Sequence, residues 1–200
     1  MALIDLYRQS VAAFADRVGE VGPDQWTAPT PCPDWDVRGL VNHVVSEELW
    51  SVPLFAGATI AEVGDRFAGD LLGDNPALHA AEAGEDARAA VGETGALERA
   101  IHLSFGDTSA IEYVHQLFAE HLIHLWDLAV ATGTDRTLDP ASVRACLEWF
   151  TAREDYYRDA GVIGPRAPVP DPTSPQSLLL GAFGRDPVAP TPRSTPPVRQ

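Results

Sequence analysis

The chain has 200 residues, 45% hydrophobic and 22% charged, which is a globular composition, and it contains no run of ~18 apolar residues that would span a membrane. The net charge is −15 and every basic residue is arginine, so no basic cluster is available to neutralise a line of phosphates and nucleic acid is not an expected partner. The absence of lysine also removes Schiff-base catalysis, a phosphate-loop lysine and a lysine general base together.

The first helix is predicted over Leu3 to Val21, where Ile4, Tyr7, Val11, Phe14 and Val18 recur at spacings of three and four. Met1 to Gln9 has no basic region followed by an apolar stretch, so no signal peptide is expected and the cytoplasm is the default location. Cys32 and Cys146 are too few for a disulfide framework and suit a reducing compartment. Prolines 29, 31 and 33 make the next stretch an extended connection. Asp36 then stands where a carboxylate caps a second helix running to about Leu54, with Trp35 as a hydrophobic staple.

Between Thr59 and Asp107 the pattern is weak, and the glycines at 84, 92 and 95 predict a broken helix around 77–91 followed by a loose loop. The clearest helix lies over Ser109 to Thr132, with Gly133 as its stop. Another is predicted from Pro140 to about Asp159. Beyond Gly164 the chain is proline-rich, a draped or unfolded tail in which only the apolar island Ser177 to Phe183 is suited to dock. The expected organisation is therefore an all-α, up-down four-helix bundle over residues 1–163 with an additional C-terminal helix, then a tail over 164–200 with a docked segment around 177–187.

Glu120 and His124 are four residues apart in the clearest helix, separated by about 40° of azimuth and ~6 Å of rise, so both side chains can reach one ion. A carboxylate and an imidazole form the donor mix of zinc sites that keep a position open. His43 supplies a third donor, since it lies among Leu40, Val41, Val44 and Val45, where an unpaired imidazole is costly to bury. In an up-down bundle the second and fourth helices run parallel and bring it to the same level. The same residues also suit a hydrogen-bonded core histidine and a surface Glu/His pair, so the spacing permits a metal without requiring one. Glu47 and Asp127, each one turn from a histidine, are candidates for orienting an imidazole or acting as a base, or for ordinary solvated carboxylates. His115 and His121 are expected to point elsewhere, Cys32 to be a packed small hydrophobe, and Cys146 to be core. Arg38 and Arg185 are candidates for pairing with a carboxylate of a thiol or substrate, or for plain salt bridges.

The segment Thr30-Pro-Cys-Pro-Asp-Trp-Asp-Val-Arg-Gly-Leu-Val-Asn-His43, followed by Glu120-His-Leu-Ile-His124-Leu-Trp-Asp-Leu-Ala129 and Thr132-Gly133, resembles a known family. It is similar to actinobacterial DinB-like proteins related to the N-terminal domain of mycothiol-dependent maleylpyruvate isomerase, over about residues 3 to 187. The resemblance implies a four-helix bundle whose metal, usually zinc, is held by His43, Glu120 and His124. It also implies a transferase or isomerase that uses a low-molecular-weight thiol such as mycothiol or bacillithiol on a small electrophile. The alanine-rich, arginine-only composition fits a high-GC genome and favours mycothiol. The isomerase carries a separate C-terminal domain, whereas only some forty proline-rich residues follow the last long helix here, so maleylpyruvate isomerisation itself is not implied. Two alternatives stay open: a hydrolase using metal-bound water, and a non-catalytic metal-binding protein; under every reading a monomer or homodimer is expected.

Overall fold

Heptad-like apolar spacing gives the first helix, α1 (Leu3–Gly19), a single buried face made by Leu6, Tyr7, Val11, Phe14 and Val18. The computed structural model describes residues 1–104 and 106–190 of the chain. The proline-rich connection after α1 is pinned by backbone bonds from Val37 to Ala28 (3.0 Å) and from Arg38 to Trp26 (2.9 Å). Asp36 caps α2 (Val37–Phe55) by accepting from the Gly39 amide at 2.8 Å, satisfying one of the donors left over at a helix start.

A short turn of helix, α3 (Ile60–Val63), interrupts the crossover to α4 (Pro76–Gly92), which is continuous rather than broken. Gly84 does not disrupt α4 because it serves packing: a Cβ there would lie 2.8 Å from Val11 Cγ1 and 3.2 Å from Glu48 Oε1. The following stretch is ordered as well. It turns at Gly95 (φ 79°) into a hairpin of β1 (Ala100–Leu103) and β2 (Gly106–Ser109), held to the bundle by the fully buried Ile101.

Ser109 caps α5 (Ala110–Thr132), and Gly133 ends it in the left-handed conformation that costs other residues a Cβ clash. The predicted final long helix is divided into α6 (Pro140–Thr151) and α7 (Glu154–Asp159) by a turn at 152–153. The last helix, α8 (Pro175–Ala182), lies against α6, and its Leu179, Leu180 and Ala182 are buried in the main core. Gly181 lets the irregular segment before α8 close over it, since a Cβ would collide with Val169 Cγ2. Glu154 ties this region together: Arg158 reaches it at 2.6 Å and also bonds the Ala182 carbonyl at 2.5 Å, while Arg166 pairs with its other oxygen. The expected lack of structure in the last dozen residues bears mainly on 191–200, outside the described residues.

Helix direction departs from the expectation on one point. Contacts fall along α5 as they rise along α2: Cys32 meets Asp127, His43 meets Glu120, and Leu54 shares a cavity wall with Tyr113. The second and fourth bundle helices, α2 and α5, are therefore antiparallel. The cause is the long crossover, which returns to the start of α2 before α4 begins: Asn42 bonds the Gly69 carbonyl at 2.9 Å and the Leu71 amide at 2.8 Å. The all-helical bundle is as expected, and His43 still reaches the level of Glu120 because helix level, not direction, decides which side chains meet. None of the described helices is long and apolar enough to cross a membrane.

Candidate metal centre

One turn of α5 separates Glu120 from His124, and both point across to α2, where His43 faces them. A single carboxylate oxygen, Glu120 Oε2, lies 2.9 Å from His124 Nε2 and 3.4 Å from His43 Nε2. At zinc–ligand lengths of ~2.0–2.1 Å, donor atoms on a tetrahedral ion are ~3.3 Å apart, so these separations fit a shared divalent cation. All three donor atoms lie within 4.8 Å of one another. The His124 ring is nearly buried, whereas Glu120 keeps 40% of its side chain exposed because it forms a cavity wall. Burial opposes a charge on Glu120, but hydrogen bonds from His124 and His43 outweigh it and hold its carboxyl well below the usual range.

Both histidines are oriented from behind. Asp127 Oδ2 stands 3.0 Å from His124 Nδ1, and Asp127 is in turn bonded by Arg185 Nη2 at 2.8 Å. Burial works against the Asp127 charge, yet His124 and the Arg185 guanidinium keep its carboxyl below the ordinary range. An ionised Asp127 only accepts, so His124 Nδ1 donates and Nε2 is left to face Glu120. His43 is stacked on Trp35 at 4.4 Å between ring centroids. Trp35 thus holds a cluster ring in place, a role its reading as an entry staple missed; its position just before the cap of α2 was the only signal. Cys32 is likewise more than a packed hydrophobe: its sulfur is 3.4 Å from Asp127 Oδ2 and 3.3 Å from Arg185 Nη2. No basic residue lies near it in sequence, and tertiary folding brings both Asp127 and Arg185 to it. Cys32, His124 and Asp127 form a second group of metal-capable donors, but the Arg185 cation already binds two of them, Cys32 and Asp127.

The other singled-out residues fall as follows. Glu47 makes no hydrogen bond to either cluster histidine; it lines neighbouring cavities, and burial first, then the Glu120 charge, raises its carboxyl. Arg38 is away from the cluster, pairing with Asp70 at 2.8 Å and bonding the Gly73 carbonyl at 2.9 Å, the plain salt bridge that was the second reading of this residue. Arg185 lines the cavity over the cluster. His121 points into the core, its Nε2 2.8 Å from Glu48 Oε1, and His115 stacks on Trp149, both directed elsewhere as expected. Cys146 is fully buried in the core.

The cluster opens into a cavity of about 280 Å³ between Trp35, His43, Glu120, His124, Phe183 and Arg185. A second of about 120 Å³ continues from it past Glu120 and Phe183 to Glu47 and Tyr113. A third, of about 280 Å³, adjoins that one through Glu47, Tyr113 and Gln116.

Helices, cluster and cavity together define the class, a DinB-like helical bundle. The sequence profile described as mycothiol maleylpyruvate isomerase N-terminal domain matches residues 7–129, more than half of the chain, and the chain belongs to that family, which is associated with metal binding and mycothiol. Two uncharacterized proteins of Mycobacterium tuberculosis, one from strain CDC 1551 and one from strain H37Rv, are similar to it. Each is 28% identical over 139 residues, covering 67% of this chain and 69% of its own length. No solved structure matches the chain significantly.

Proposed function

We propose that this protein is a divalent-metal-dependent enzyme, with zinc as the metal, that uses a low-molecular-weight thiol such as mycothiol to transfer to, or isomerise, a small electrophile. The observation that carries this reading is Glu120 Oε2 standing between His43 Nε2 and His124 Nε2 on the wall of an open cavity. A structural metal site is closed by its protein ligands, whereas three protein donors beside an opening leave room for a reactant. A divalent cation held there would stabilise a thiol in its deprotonated form.

The chain's own residues supply the rest. Glu120 offsets the ion's charge, Asp127 fixes the His124 ring with Nε2 available, and Trp35 fixes the His43 ring. Phe183, Val162 and Ile163 give the cavity an apolar side that keeps water away from a nucleophile. A cytoplasmic, reducing setting suits such a thiol, and we assign the site to residues 1–163 with the segment after 164 forming its lid.

The test is metal content by mass spectrometry on wild type and His124→Ala, followed by calorimetric titration with mycothiol. One equivalent of zinc in wild type, lost in a still-helical His124→Ala, and heat on thiol addition are expected. Full metal retention in that variant would overturn the ligand set, and zinc without thiol binding would overturn the thiol chemistry.

A further inference from the structure

The cavities continue well beyond the cluster. From His124 to Tyr113 is eleven positions of α5, ~16 Å of helix at ~1.5 Å per residue, and three neighbouring chambers lie along it, the first two sharing Glu120 and Phe183 as walls and the last two sharing Glu47, Tyr113 and Gln116. A small thiol seated at the cluster would fill only the first of these chambers.

The far chamber has its own chemistry. Glu47 lines both it and the middle chamber, and among the described residues its carboxylate takes part in no hydrogen bond or ion pair. Gln116 donates through Nε2 to the Tyr157 hydroxyl at 2.8 Å, which leaves its amide oxygen as an acceptor. Tyr113 and Ser104 add hydroxyls, and Trp50 adds a broad aromatic surface with a polar edge. Among the described residues no arginine lines this chamber, so an anion there faces Glu47 with no cation beside it. Several neutral donors and acceptors around one carboxylate match a ligand with many hydroxyl groups better than a single ammonium, which would engage Glu47 alone.

We infer that the chamber formed by Glu47, Trp50, Ser104, Tyr113 and Gln116 is a binding subsite for a neutral, polyhydroxylated ring, carried by a ligand whose other end reaches the His43–Glu120–His124 cluster. This deepens the proposed function and rests on its thiol reading for the identity of that other end. Glu47 is the principal hydroxyl acceptor and Trp50 the surface on which the ring packs.

The experiment is calorimetric titration of the zinc-loaded full chain with four probes: mycothiol, whose thiol is attached to a sugar–cyclitol unit; N-acetylcysteine; methyl α-D-glucoside; and putrescine. Wild type is expected to bind mycothiol more tightly than N-acetylcysteine. Glu47→Ala and Trp50→Ala should each weaken mycothiol about tenfold, the value of one hydrogen bond to a charged group or one lost aromatic contact, while N-acetylcysteine stays within about twofold. Equal binding of the two thiols, indifferent to Glu47, would overturn the subsite and leave the thiol reading standing. Glucoside binding that depends on Glu47, with neither thiol bound, would support the subsite and overturn the thiol reading. Putrescine outcompeting the glucoside would overturn the neutral class, and no binding by any probe would overturn both proposals. Both positions face a cavity, and thermal melts of the variants separate lost contacts from lost fold.

Discussion

At the scale of single residues, the chain handles two neighbouring histidine environments in opposite ways. His124 opens to a cavity and is positioned by Asp127, itself held by Arg185; His121 is fully buried and paired with the equally buried Glu48. His121 Nδ1 donates to the Leu117 carbonyl at 2.7 Å, so its Nε2 shares one further proton with Glu48 and the pair behaves as a unit. Glu48→Leu should therefore cost about 3–5 kcal/mol by stranding a buried polar partner, while Glu48→Leu with His121→Leu should recover much of that, as urea denaturation would show. Asp127→Asn keeps the shape but loses the fixed acceptor for His124. The expected result is a zinc affinity lower by about 10–100-fold, measured by competition with a chelator, in a variant that stays helical but melts lower because Arg185 loses its buried anionic partner. An unchanged affinity would mean that Arg185 and Cys32 alone suffice to hold the ring. Glu120 and His124 were legible as a pair because helical spacing fixes their relative azimuth, whereas His43, on another helix, was joined to them only through the motif resemblance. Cys32 and Arg185 were not, being 153 positions apart and joined only by folding.

At the scale of elements, caps and stops were readable and continuity was not. Asp36, Ser109 and Asp139 each accept a hydrogen bond from a backbone amide in the first turn of the helix they precede, and Gly133 ends α5, all local effects that a short stretch of sequence contains. Asp36→Ala should destabilise the protein by about 1 kcal/mol in denaturant titration, since the Gly39 amide loses its partner. Gly84 misled the sequence reading because its cost to α4 is local, whereas its benefit, room for Val11 and Glu48, is tertiary. The hairpin was invisible for a similar reason: four-residue strands have little periodicity of their own, and Ile101 orders them by entering the core. α8 was partly legible as an apolar island. With Leu180 only 1% exposed, Leu180→Ala should cost about 2–5 kcal/mol, and a loss under 0.5 kcal/mol would show that the helix adds nothing to the core.

Across the whole molecule, Glu154 is the fastening point between the bundle and the segment that follows it. Bonds from Arg166, and then from Arg158, hold its carboxyl below the ordinary range despite its burial. A carboxyl lowered in the folded state contributes stability above its unfolded value of about 4.3, and that contribution disappears as pH falls through the folded value. The melting temperature of Glu154→Gln should accordingly lie below wild type at neutral pH, with the gap closing as the pH approaches about 3. A gap that stays constant with pH would assign the effect to packing instead of charge.

The sequence by itself determined the helical class, the family and most helix ends, and it singled out His43, Glu120 and His124 as side chains to bring together, because each depends on residues within a turn or two of one another or on a motif read in order. Only the tertiary structure decided that α2 and α5 run antiparallel, that Arg38 is committed to Asp70, that Cys32 and Arg185 stand beside Asp127, and that Glu47 faces a cavity and not a histidine. Those outcomes depend on a long crossover and on contacts between distant segments, and periodicity carries no information about which distant surfaces will meet.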